Sequence, residues 1–216
     1  MKEIVCKGER ILLLPQRALY WPGMRTLVLA DMHLGKTAHF RAHGIPIPSS
    51  VMKDDLQCLS AIIEQFDPKR ILIVGDMFHD KLNGDIDIFG QWRLQYAADF
   101  VLVPGNHDKL LQIDYERLGI IVTEARHVIK PFVFVHEYLD APETDHFFIS
   151  GHLHPGYLLQ GKARQAMRLA CFIVSSNSMI LPAFSAFTGL YTGYEINPSH
   201  RYYIIGNNEV LEVAGR

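Results

Sequence analysis

Five short segments hold the residue types that can do chemistry: Asp31-Met32-His33, Gly75-Asp76, Gly105-Asn106-His107-Asp108, His136 and Gly151-His152-Leu153-His154. As ligands they offer the carboxylates of Asp31 and Asp76, the amide oxygen of Asn106, and the imidazoles of His33, His136, His152 and His154, with no thiolate. Oxygen and imidazole nitrogen without sulfur suit borderline divalent ions, Mn2+ foremost, with Fe2+, Zn2+, Ni2+ and Co2+ as alternatives. Seven ligands are too many for one ion and right for two, with Asp76 as the bridge. Two ions about 3.5–4 Å apart form a clamp for in-line displacement at phosphorus, activating water and stabilising the attacking and leaving oxygens. Any one segment alone is more often a solvated turn; their joint presence carries the reading.

Strands must position these groups. Thr26–Ala30, Arg70–Val74, Phe100–Val103, Phe132–Val135 and His146–Ser150 are apolar runs of strand length, and each leads directly into one of the five segments. They do not alternate, which predicts strands covered on both faces. Ligands of open α/β sheets gather outside the carboxyl ends of the strands, so the five segments are expected to converge there. Glycine before Asp76, Asn106 and His152 allows a sharp turn and a close approach. A helix is predicted from a cap at Ser49 or Ser50 through Phe66, with Val51, Leu56, Leu59, Ile62 and Ile63 on one side and Asp67-Pro68 as its stop. Further helices are expected near 85–98 and 109–118, and an opening hairpin from 10–14 and 17–21. Beyond Pro155 the pattern turns to short strands: 156–160, 168–174, 201–205 and 209–213.

Composition sets the class. The 216 residues are 49% hydrophobic and 20% charged, an ordinary globular mix that excludes a disordered chain. A formal net charge of −2 excludes a generally basic nucleic-acid coat, though not a local basic strip. Cys6, Cys58 and Cys171 are odd in number and far apart, which argues against a disulfide framework or a Cys-rich zinc site. The early run Ile11–Leu14 ends at Pro15. It is far short of the about 7–15 apolar residues of a signal peptide or the roughly 18 of a membrane span. One cytoplasmic α/β domain with no membrane partner is therefore expected.

In chain order, the set D-x-H, G-D, G-N-H-D, H and G-H-x-H resembles the calcineurin-like metallophosphoesterase superfamily. The resemblance implies an α/β fold built as a four-layer α/β/β/α sandwich. It would form a single domain over 1–216, with the metal motifs in 31–154 and a β-rich part over 155–216. It implies that Asp31, His33 and His154 hold one metal, that Asn106, His136 and His152 hold the other, and that Asp76 bridges both. His107 is then the non-ligand histidine at the scissile phosphate, oriented by Asp108. His136 follows Val135 where the family often has glycine, and His127 and His146 are the alternatives for that ligand.

A narrower resemblance rests on Leu29-Ala30-Asp31-Met32-His33-Leu34-Gly35-Lys36, the opening hairpin, the short length and Phe184-Ser185-Ala186-Phe187-Thr188-Gly189. These look like the bacterial ligase-associated DNA-damage-response metallophosphoesterases. That family implies a metal-dependent phosphoric ester hydrolase cutting DNA as an endonuclease, with an ATP-dependent DNA ligase and a DEXH helicase as partners. Lys36, His39, Arg41 and His43 form a cationic stretch after the first motif. Lys36, Arg41 and His79 are the candidate substrate contacts, with a solvated surface as the alternative. Hydrolysis of a small nucleotide or other phosphoester is the second functional reading, and a non-catalytic metal-dependent scaffold for repair partners the third. The presence of His107, which a scaffold does not need, favours an enzyme.

Overall fold

The apolar runs of the first half become parallel strands whose two faces serve two different cores. The computed structural model describes residues 1–36, 50–79, 84–138, 146–161 and 165–214. In the first sheet β1 (Lys2–Cys6), β2 (Glu9–Leu14), β3 (Ala18–Trp21), β4 (Thr26–Leu29), β5 (Arg70–Val74), β6 (Asp99–Val103) and β7 (Ile120–Val122) lie in chain order. Pairing is antiparallel from β1 to β4 and parallel from β4 to β7. The second sheet contains β8 (Arg126–Ile129), β9 (Phe132–Val135), β10 (Phe147–Ser150), β11 (Gly156–Gln160), β12 (Ala166–Val174), β13 (Ser178–Ile180), β14 (Arg201–Gly206) and β15 (Glu209–Ala214). Its order is β15-β14-β12-β13-β10-β9-β8, with β11 paired to β12. Here β9, β10 and β13 run parallel.

The hidden alternation of β4, β5 and β6 explains the layering. Leu27, Leu29, Ile71, Ile73, Phe100 and Leu102 face the helices, while Val28, Leu72, Val74, Val101 and Val103 face the second sheet. Both sets are apolar, so no period of two shows in the sequence. Helix α1 (Ser50–Phe66) lays Met52, Leu56, Leu59, Ile62 and Ile63 on the first sheet, with α2 (Gly84–Arg93) adding Ile86 and Phe89 and α3 (Gln112–Arg117) adding Tyr115. Met52 takes the core place expected of Val51, because it falls one helical turn before Leu56. Helix α2 ends five residues before the expected boundary. The Arg93 guanidinium turns back there to hold the carbonyls of Tyr96 and Ala98 at 2.6 and 3.0 Å.

Between the sheets, Phe132, Phe134, Phe147, Phe172 and Trp21 fill the second core, with Trp21 edge-on to Phe132 at 4.8 Å. The outer face of the second sheet carries Cys171, Ile173, Tyr202 and Ile204. Among the described residues that face is covered by Tyr157 and Leu159 of β11 together with Tyr194 and Ile196. The mixed α/β sandwich is thus as expected, and a β-hairpin arm and an extended segment supply its outermost layer. No described helix is long and apolar enough to cross a membrane.

Phe134 is fully buried two residues before His136. Phe134→Ala should lower the unfolding free energy by about 3–5 kcal/mol, the usual cost of a large core truncation, as read from urea unfolding.

Candidate metal centre

Strands β4, β5 and β6 of one sheet and β9 and β10 of the other all end at the same edge of the sandwich. The loops that follow are sewn together through the backbone. Asp31 N–H donates to the Gly75 carbonyl at 3.1 Å, His33 N–H to Asp76 O at 2.9 Å and Leu34 N–H to Met77 O at 2.9 Å. The second sheet joins through Phe184 N–H to Ala30 O at 2.8 Å, and its own two loops are tied by Gly151 N–H to His136 O at 3.0 Å.

Backbone conformation marks this edge. Asp31, His33, Asp76, His152 and His154 have φ of 54°, 47°, 48°, 66° and 49°. They are five of the eleven described non-glycine residues with positive φ. Each such residue costs on the order of 1–3 kcal/mol and persists only where its surroundings fix it. Three glycines at this edge are required by close approach, among them Gly105, where a Cβ would overlap Asp76 Oδ1. A Cβ on Gly75, whose φ is +77°, would overlap the His136 imidazole. One on Gly151 would lie 2.6 Å from both Ala30 Cβ and Asp31 Oδ2.

The side chains form two clusters, Asp31–His33–His154 and Asp76–His136–His152, each with candidate ligand atoms within 4.8 Å of one another. His33 Nε2 lies 3.3 Å from His154 Nε2, and His136 Nε2 lies 3.1 Å from His152 Nδ1. Asp31 is fully buried. Its Oδ2 accepts the His152 N–H at 2.9 Å, while Oδ1 sits 3.6 Å from His154 Nε2 and 3.8 Å from His136 Nδ1. Asp76 Oδ1 accepts the His107 N–H at 2.9 Å, and Oδ2 lies 3.4 Å from His136 Nε2 and 4.0 Å from His33 Nε2. This donor set fits two divalent ions, as the family requires.

Electrostatics agree. Burial, reinforced by the Lys36 ammonium, pushes the His33 pKa down to about 3, leaving a neutral imidazole with a free lone pair. Burial opposes ionisation of Asp76, but His136, the His107 N–H and His33 together hold its carboxyl well below the usual range. The His136 pKa is raised, burial being outweighed by the carboxylates of Asp76 and Asp31. A proton and a divalent cation compete for the same lone pairs here.

Other expected residues fall around this centre. His107 is exposed, and its ring lies 5.5 Å from His33 and 4.9 Å from the stacked ring of His79. Asp108, expected to orient the His107 ring, does something else. Its oxygens accept the main-chain N–H groups of Gly105 at 2.8 Å and Phe78 at 3.1 Å, so it fixes the loop carrying His107 rather than the imidazole. Asn106 is exposed in the turn between Gly105 and His107. Lys36 is half-buried, feels the charges of Asp76 and Asp31, and has its pKa lowered chiefly by burial. Arg41, His39 and His43 lie outside the described residues. Of the alternatives to His136, His127 sits on β8 and His146 just before β10; neither joins a cluster.

The sequence reading missed Glu137, whose Oε1 lies 3.8 Å from His152 Nε2. Both side chains are exposed and the separation is beyond a hydrogen bond, so the pair is a surface ion-pair contact at the rim of the second cluster. The adjacency of Glu137 to His136 was the available signal.

The calcineurin-like phosphoesterase pattern matches residues 24–162, and the chain belongs to that family. It is similar to the crystal structure of a nuclease, MPE of Pseudomonas putida, with a TM-score of 0.80 and 29% identity. That match covers 97% of this chain and 99% of the other. A phosphoesterase of E. coli, YfcE, is more distant, at a TM-score of 0.42 and 12% identity over 88% of this chain and 99% of that one. No curated protein matches the sequence.

Gly75→Ala should destabilise the metal-free protein by at least about 1–3 kcal/mol, from the left-handed backbone alone, with the displaced His136 adding to it. Urea unfolding in the presence of a chelator measures it.

Proposed function

We propose that this chain, acting as one domain over 1–216, is a dinuclear-metal phosphodiesterase that cuts DNA as a nuclease. The observation that carries the reading is the position of Asp76 Oδ2, 3.4 Å from an imidazole of one cluster and 4.0 Å from an imidazole of the other. A carboxylate so placed serves as a bridge. Asp31, His33 and His154 are assigned to one ion, and Asn106, His136 and His152 to the second. The fit is supported by Asp31 Oδ1, a buried carboxylate oxygen with no hydrogen-bond partner among the described residues. Such an oxygen is costly unless a cation compensates it. Divalent ions held there, Mn2+ in our reading, supply Lewis-acid activation of the phosphoester and of water.

The chain's own residues do the rest. His107, exposed beside the His33 ring, protonates the leaving oxygen, and His79 stacked on it keeps the ring in plane and faces the substrate. Asp108 holds the 105–108 turn in place. The Lys36 ammonium meets a phosphate oxygen, with Arg41 as a second contact in the same reading. Similarity to the P. putida nuclease over nearly the whole chain supports a phosphodiester in nucleic acid as substrate. Partnership with an ATP-dependent DNA ligase and a DEXH helicase follows from the sequence resemblance, as does a cytoplasmic site of action.

Asp76→Asn should reduce bound Mn2+ from two per chain to one or fewer and abolish hydrolysis. Metal analysis after desalting checks the first point, and two tightly held ions in the variant would refute the bridge.

With Mn2+, the wild-type chain should cleave DNA and a nitrophenyl phosphodiester. His107→Ala should keep both ions yet lose about 10²–10⁴ in DNA turnover, and lose less with nitrophenol as leaving group, which needs little protonation. Hydrolysis of the small diester without cleavage of single- or double-stranded DNA would replace the nuclease with a small-molecule phosphodiesterase. Bound ions without any turnover would indicate the scaffold.

A further inference from the structure

Next to the first cluster lies a small cavity of about 10 Å3, lined by His33, Gly35, Lys36, Asp55, Ser185 and Phe187 among the described residues. That is the size of one water molecule. His33 is 6% exposed. Its Nε2 faces His154 and Asp76, which leaves Nδ1 on the other edge of the ring. Nδ1 is buried and has no hydrogen-bond partner among the described residues. The same cavity presents a fixed acid. Asp55 of α1, 8% exposed, accepts the Ser185 hydroxyl and the Ala186 N–H, the latter at 3.4 Å. Arg17 Nη1 holds the Ser185 carbonyl at 3.1 Å, which ties the β2–β3 turn into the same network.

The segment Phe184–Gly189, singled out in the sequence, thereby gains a role. Phe184 N–H grips the carbonyl just before Asp31, and Ser185 holds Asp55 against the cavity. A ligating imidazole almost always donates its other N–H to a carboxylate, a carbonyl or a water, which fixes its tautomer and raises its basicity.

We propose that one water in this cavity accepts the Nδ1–H of His33 and donates to the Asp55 carboxylate, so that Asp55 is a positioning residue for His33. The water has a donor in His33, an acceptor in Asp55 and the Ser185 hydroxyl within the same walls, the two to four partners that a buried water needs. With Nδ1 protonated, the lone pair of Nε2 is directed at Asp76 and His154. The inference rests on the reading of His33 as a metal ligand, and the experiment separates the two.

Full-length wild type, His33→Ala, Asp55→Ala and Asp55→Asn are compared by 15N NMR of the histidine tautomers in metal-free protein and by Mn2+ titration. Wild type should hold His33 as the Nδ1–H tautomer and bind two ions, and His33→Ala should lose one. Asp55→Ala should let the His33 tautomer mix and weaken one ion by about 10–100-fold, leaving the other within twofold. Asp55→Asn, which keeps the volume and the contact with Ala186, should show the same changes to a smaller extent and carries the test if the alanine variant does not fold. A wild-type His33 protonated at Nε2 would overturn the proposal. So would Asp55 variants with unchanged tautomer and affinity while His33→Ala loses an ion. If His33→Ala binds both ions like wild type, the ligand reading itself fails, and the role of Asp55 falls with it.

Discussion

Two carboxylates, Asp31 and Asp76, are buried at one end of the sandwich, and the construction of that end follows from compensating their charge. An unpaired buried carboxylate is among the most expensive groups a fold can hold. Each therefore spends one oxygen on a backbone N–H: Asp31 on His152, Asp76 on His107. Each turns the other oxygen toward imidazoles, Asp31 to His154 and His136, Asp76 to His136 and His33. The bond that His152 N–H donates to the Asp31 carboxylate crosses from one sheet to the other. The groups that shape the centre thus also join the two halves of the molecule.

The compensation is paid for in backbone strain. Five residues at this edge hold left-handed φ values, and the glycines beside them leave no room for a Cβ. Such strain needs a stiff support, which the two cores provide. The phenylalanine-rich layer between the sheets fixes the ends of β9 and β10, and the helix-facing layer fixes β4, β5 and β6. A loosely packed frame would let the loops relax to negative φ, and the imidazoles would move apart. Function at this end depends on rigidity a few residues away.

The residues around the centre divide by exposure. Asp31, His33, Asp76 and His136 are buried, whereas His107, Asn106 and His152 reach the surface, where a phosphoester substrate of the family would arrive. Asp108 shows that chemical type alone does not set a role. Beside His107 in sequence, it serves main-chain donors from two loops instead of the imidazole. His79, separated from His107 in sequence, is the ring that stacks on it.

Much of this could be read from the chain. Every ligand candidate follows an apolar run, and a parallel strand delivers its loop to one edge, so order and spacing were enough to collect Asp31, His33, Asp76, His136, His152 and His154. Helix α1 and the strands of the sheet centres were likewise visible, because long apolar runs and helical periodicity are local signals. The short strands β1, β7, β8 and β13 were not, since they are held by neighbours rather than by their own pattern. The turning of Asp108 to the backbone and the meeting of Asp55 with His33 across a shared cavity also lay beyond it. Residue types and their order are properties of the chain. Which atoms of those residues face one another depends on how two sheets pack, and packing joins positions more than a hundred residues apart, as between Asp31 and His152.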